Sequence, residues 1–274
     1  MIEEENSNSL TGVYDKLSIQ VSLNGLSFCV LDTISNSIRY SDKITFEKER
    51  SPFGMQKGLV TLFEKHSLGD KKFSEVVVLH RNNLFSLVPM SLFDVNEMPN
   101  YLKFNTKILA TDHIDYDTLE RFDMVNVYVP FANVNNYIYD HFGAFTFKHN
   151  GTVMVESLLN GSLNEAAPIC YVHLADQQMD VTIISKKKLL FYNSFQFTTK
   201  EDFIYYLLFT LEQLKLDTEH TKLKLFGSIE EGDEIYTMAY AYVKNVSIFI
   251  PPAAAYPFID INKDTIDFTI LNSL

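Results

Sequence analysis

The apolar positions of the chain change period several times, and each change marks an element. From Leu17 to Leu23 apolar and polar residues alternate, and a second apolar run, Leu26 to Asp32, follows Asn24-Gly25. Alternation with period two is the mark of a strand with one buried face. Asn-Gly between two such runs predicts a type I′ hairpin with both central residues at positive φ. A turn at Ser35-Asn36 leads into a third strand, Ser37 to Phe46. The period then lengthens. Ser51 can cap a helix and Pro52 fits its first position, while Met55, Leu59, Leu62 and Phe63 fall on one helical face. That helix should end near Ser67, with Gly69 behind it. Val76, Val77, Val78 and Leu79 follow, a run dense enough for a buried central strand.

The middle of the chain is less regular. It predicts short strands at 84–88, 107–110, 124–129 and 145–148, and helical turns within 91–104. A helix over 133–142 stops at Gly143, and a turn at Asn150-Gly151 precedes a helix over 152–159. Residues 160–168, rich in Asn, Gly, Ser and Pro, read as a linker. The pattern then restarts. Strands at 169–174, 179–185 and 189–197 are separated by Asp176-Gln177-Gln178 and by the lysine triplet 186–188. Thr199 and Asp202 have capping-box spacing ahead of a helix carrying Phe203, Leu207 and Leu211. A strand at 223–226 ends at Gly227-Ser228, a helix follows within 230–242, and a strand closes at 246–250.

Three antiparallel strands, a helix and a buried strand therefore occur twice, from Leu17 to His80 and from Ile169 to Gly227. The expectation is an α+β (α/β) chain of two similar lobes. Residues 1–15 would be a frayed arm, 16–163 the first lobe and 164–274 the second. The lobes would face one another across a cleft, with Asn24-Gly25, Asp176-Gln177 and Gly227-Ser228 pointing into it. Domain interfaces are common ligand sites.

Composition narrows the possible partners. With 23 Lys and Arg against 35 Asp and Glu the net charge is −12. Nucleic-acid backbones and anionic membranes need the opposite balance. No apolar run approaches the length a bilayer requires, and the acidic Met1-Ile2-Glu3-Glu4 start is unlike a secretory leader. A cytoplasmic protein without membrane insertion is expected. Cys29 and Cys170 lie in apolar strands with no metal-ligand spacing and read as inert buried thiols. Asp112, His113, Asp115 and Asp117 make a conceivable metal cluster, and a solvated loop is the preferred reading. No P-loop, nucleophile elbow or HExxH occurs.

Three stretches carry a family resemblance: Leu17 to Phe28, Tyr128 to Gly143, and Tyr192 to Phe195 with Thr199 to Leu208. They resemble an uncharacterised family of Bacteroidetes proteins with an actin-like ATPase fold. In that superfamily, which includes actin, sugar kinases and Hsp70 chaperones, each lobe is a ribonuclease-H-like unit. The resemblance implies a nucleotide site at the three turns: Ser22, Asn24 and Gly25 in the first phosphate loop, Asp176 and Gln177 in the second, and Gly227 and Ser228 at the adenosine turn. The departures matter. The first loop keeps its Gly but lacks the acid, the second keeps an Asp but lacks the Gly, and the third has one glycine of a usual pair. Phosphoryl transfer needs positioned donors and metal-borne charge. The expectation is a degenerate fold without a cofactor, acting as a non-catalytic binding or scaffold protein with a protein partner. The alternative is a nucleotide-binding protein or weak ATPase that uses ATP and magnesium through these atypical loops.

Overall fold

The computed structural model describes residues 14–162, 167–175, 177–251 and 266–274. These fall into two compact units. One holds the described residues of 1–118, 124–150 and 254–274, the other those of 119–123 and 151–253.

In the first unit, β1 (Asp15–Val21), β2 (Gly25–Asp32) and β3 (Ser37–Thr45) form an antiparallel meander. Helix α1 (Pro52–His66) follows, and β4 (Glu75–His80) then pairs in parallel with β1. Between β4 and the fifth strand of this sheet lie β5 (Phe85–Pro89), α2 (Met98–Leu102), β6 (Asp115–Leu119), β7 (Met124–Tyr128) and α3 (Ala132–Phe142). Strand β8 (Thr146–His149) completes the order β3-β2-β1-β4-β8, and α4 (Asn150–Gly161) follows it directly.

Alternation in β1 decides the core. Leu17, Ile19 and Val21 point into a cluster with Phe28 and Val30 of β2, Met55, Leu59 and Leu62 of α1, and Val134 and Ile138 of α3. Helix α1 begins as its sequence dictates: the Ser51 hydroxyl accepts the Gly54 N–H, and Pro52 stands at its start. Its last turn is tied to β3, where Asp42 accepts from Lys65 Nζ at 2.6 Å and meets His66 Nε2 at 2.7 Å. Burial raises the Asp42 carboxyl, but the bonds from Lys65, His66 and the Lys43 amide outweigh it and hold the group at about 2. A separate three-stranded sheet, β5-β7-β6, has its own small core of Val88, Leu102, Val125 and Val127.

The second unit repeats the sheet. Strands β9 (Ile169–Ala175), β10 (Gln178–Ser185), β11 (Lys188–Gln196), β12 (Lys222–Gly227) and β13 (Asn245–Ile248) take the order β11-β10-β9-β12-β13, with the same pattern of directions. Helices α5 (Lys200–Gln213) and α6 (Glu234–Tyr242) stand where α1 and α3 stand in the first unit's sheet. Their apolar faces, with Phe203, Leu207, Leu211 and Ala239, cover Cys170, Val172, Met179, Val181 and Ile183. The Thr199–Asp202 capping box is made in both directions. Lys186 and Lys187 sit at φ 50° and 59° and make the hairpin turn, while Lys188 opens β11. Helix α7 (Phe268–Leu271) belongs with the first unit and packs on β1 and β2, although the sequence placed 254–274 with the second lobe.

Several local expectations change. Pairing of β1 with β2 ends at Val21–Leu26, so the loop is Ser22 to Gly25 and its central pair is Leu23-Asn24. Neither Asn24 nor Gly25 takes positive φ, because the four-residue loop does not need the type I′ geometry. Asn150-Gly151 opens α4 instead of forming a turn, and no strand forms at 107–110. The acidic stretch at 112–117 is not all loop. Asp115–Leu119 is β6, and Asp117 accepts the Tyr128 hydroxyl at 3.1 Å and the His149 N–H at 2.8 Å. Among the described residues no helix is long and apolar enough to cross a membrane.

Candidate functional site

In each unit the sequence-derived positions gather at the carboxyl ends of the parallel strands, the edge where α/β sheets commonly bind ligands. In the first unit the loop Ser22–Gly25 leaves β1 beside the end of β4, since Val21 pairs with His80 and the Arg81 N–H donates to the Val21 carbonyl. The loop is closed on itself. The Ser22 N–H and hydroxyl both donate to the Gly25 carbonyl, each at 3.0 Å, and the Gly25 N–H donates to Ser22 Oγ at 2.9 Å. Its carbonyls are also engaged: Leu23 accepts from the Arg50 N–H and Asn24 from the Phe46 N–H, both at 2.8 Å. Ser22, Asn24 and Gly25 are thus brought together, but the hydroxyl and the glycine amide are spent within the turn.

Beside this loop lies His80, fully buried, with a fixed proton. The Phe131 N–H donates to Nδ1 at 3.1 Å, so Nε2 carries the hydrogen and gives it to Asn135 Oδ1 at 2.9 Å. Burial pushes this imidazole down to about 3, and His149 adds to the effect against the Asn135 bond.

In the second unit, Asp176 lies outside the described residues. Gln177, at φ 62°, turns the chain between β9 and β10, and its carbonyl accepts the Phe197 N–H at 3.0 Å. Gly227 pairs with Leu174 at the end of β12, and the Ser228 N–H donates to the Leu174 carbonyl at 2.7 Å. Gly227 sits at φ 90°, where a Cβ would stand 2.3 Å from the Leu174 oxygen and 2.9 Å from the His173 ring. The glycine is required by this close approach of two strands. Gln177, Gly227 and Ser228 therefore share one sheet edge.

Next to them is a buried polar network that sequence reasoning missed. The Ser194 hydroxyl donates to Asp180 Oδ1 at 2.5 Å, His173 Nδ1 lies 3.4 Å from Asp180 Oδ2, and Gln178 Nε2 donates to Ser194 Oγ. The first unit holds missed residues of the same kind. Ser18, Gln20 and Arg81 are buried under the C-terminal segment. In both sheets these polar residues alternate with core residues, and alternation alone reads as a wet face. Among the described residues, no three or more of His, Cys, Asp and Glu come together as a metal site. Cys29 and Cys170 are buried, and burial pushes both thiols up to about 12.

The family model described as Protein of unknown function (DUF3822) matches residues 4–246. The chain belongs to this family. The DUF3822 chain is also similar in fold to solved structures. A crystal structure from Bacteroides thetaiotaomicron, described as a protein with actin-like ATPase fold and unknown function, matches with TM-score 0.75 and 20% identity. The match covers 87% of this chain and 91% of that one. The PilM-PilN type IV pilus biogenesis complex matches with TM-score 0.54 and 10% identity, covering 94% of each chain. The DUF3822 chain thus has the actin-like ATPase fold. None of the curated proteins matches it.

Proposed function

We propose that this DUF3822 protein is a non-catalytic binding or scaffold protein on an actin-like ATPase fold, recognising another protein and not turning over nucleotide. The observation that carries the reading is the self-closed first loop. A nucleotide turn must present backbone donors to phosphate and a carboxylate toward its metal. Here the Gly25 amide is bound to Ser22 Oγ, the Ser22 hydroxyl to the Gly25 carbonyl, and the loop contains no acid. In the second unit Asp180 is buried on Ser194 and His173, and Gly227 answers a packing need. These bonds support a reading in which no magnesium nucleotide is held. A fold neighbour solved as a two-protein complex supports a protein as the occupant.

The test is a thermal unfolding scan with and without millimolar ATP and magnesium. A site filled at a hundred times its Kd stabilises the native state by about 2.7 kcal/mol, a rise of roughly 5–10 °C for a chain of this size. We expect no rise. A rise of that size, lost on Asp176→Ala or Asn24→Ala, would replace this reading with the nucleotide-binding one through Ser22, Asn24, Gly25, Asp176, Gln177, Gly227 and Ser228.

A further inference from the structure

Residues 267–273 are seated on the first unit by side chains, not by strand pairing. Asp267 caps α7 by accepting the Thr269 N–H at 2.9 Å, and its second carboxylate oxygen lies 3.6 Å from Nη1 of Arg81. The Thr269 hydroxyl lies 2.5 Å from Gln20 Oε1 and 2.6 Å from Asp267 Oδ1, so its single hydrogen is shared between the two. Ser273 Oγ donates to the Ile270 carbonyl at 2.8 Å, which leaves the Ser18 hydroxyl as donor in the 2.7 Å bond between Ser18 and Ser273. Ile270 is fully buried among them.

Three buried polar side chains of the first unit, Ser18, Gln20 and Arg81, therefore each meet a polar side chain of the C-terminal segment. Polar groups are buried at a cost unless matched, and this match is specific: an acid, a hydroxyl two residues on, an aliphatic next, and a hydroxyl three residues later. A helix of four residues has no stability of its own, so the order of this segment comes from its seat. The segment also lies beyond the residues matched by the family model.

We propose that this seat is a peptide-docking site which the chain fills in cis, and that its occupant in trans is a protein segment of the same chemistry, Asp-x-Thr-Ile-x-x-Ser. The proposal deepens the binding-protein reading and rests on it. Tethering gives the cis segment a high effective concentration, so the unmodified chain takes up a free peptide poorly, and loosening the cis contacts opens the seat.

The test uses the full chain and a fluorescein-labelled synthetic peptide of residues 266–274, read by fluorescence anisotropy. Asp267→Ala/Ile270→Ala should bind the peptide at least tenfold more tightly than the unmodified chain. A peptide carrying Asp267→Ala should lose at least tenfold on that variant. Thr269→Val/Ser273→Ala changes little volume and should give the same gain, so misfolding of the first variant does not decide the outcome. Failure of both variants to bind better than the unmodified chain overturns the proposal. So does a concentration-dependent dimer of the unmodified chain that excludes the peptide, which would make a second copy the occupant. An ATP-dependent rise in Tm bears only on the nucleotide question and leaves the peptide titration readable.

Discussion

At Gly227 the backbone is held at φ 90°, and the space for a methyl group is already taken by the Leu174 carbonyl and the His173 ring. Two penalties therefore coincide for any other residue: a left-handed conformation and a backbone clash that no rotamer relieves. Gly227→Ala should cost about 2–4 kcal/mol, measured as a lowered urea midpoint by circular dichroism. The same substitution at Gly143 or Gly232, also at positive φ but with open space around the absent Cβ, should cost less. An equal loss at all three would show that conformation alone, not the approach to β9, keeps glycine at 227. The contrast separates a turn glycine with a neighbour from turn glycines without one. The sequence alone shows no such difference.

Helices α1 and α5 begin where side chains tell them to. The Thr199 hydroxyl accepts the Asp202 N–H at 3.1 Å, and the Asp202 carboxylate returns the bond to the Thr199 N–H at 3.0 Å. Thr199→Ala leaves that first turn with an unmet donor and should lower stability by about 1 kcal/mol. Thr199→Ser should retain most of it. Unchanged urea midpoints for Thr199→Ala would mean water satisfies the turn equally well. Elements of this kind were legible because their signals are local: a cap, a stripe, an alternation. The misreadings came where a partner distant in sequence decides. β6 forms by pairing with β7, and its Asp117 is claimed by Tyr128 and the His149 N–H. Asn24-Gly25 gives no type I′ turn because the register of β1 on β2 moves the bend back by one residue. α7 is ordered by Ser18, Gln20 and Arg81, more than 180 residues away in the sequence.

Across the whole molecule, buried polar groups are what the sequence hid, and they also set how the fold responds to acid. Ser18, Gln20, Asp180 and Thr182 stand at the alternate positions of strands whose other side chains form the cores, so periodicity assigns them to solvent while the structure buries them. His80 is the case with a measurable consequence. Folded, it is a neutral imidazole accepting the Phe131 N–H and donating to Asn135, with its pKa down at about 3. Unfolded, it titrates near 6.5. The unfolded chain therefore binds the proton first as pH falls. The stability held above about pH 6.5 drains away steadily until the folded-state value near 3 is reached. Between pH 7 and pH 4 this one side chain should remove on the order of 3 kcal/mol. His80→Gln can still donate and accept at similar reach but cannot titrate. The variant should start less stable at pH 7 yet lose less on the way to pH 4.5, so the two urea midpoints converge. Parallel decline of the two proteins would show that His80 reaches solvent, or takes its proton, in the folded state.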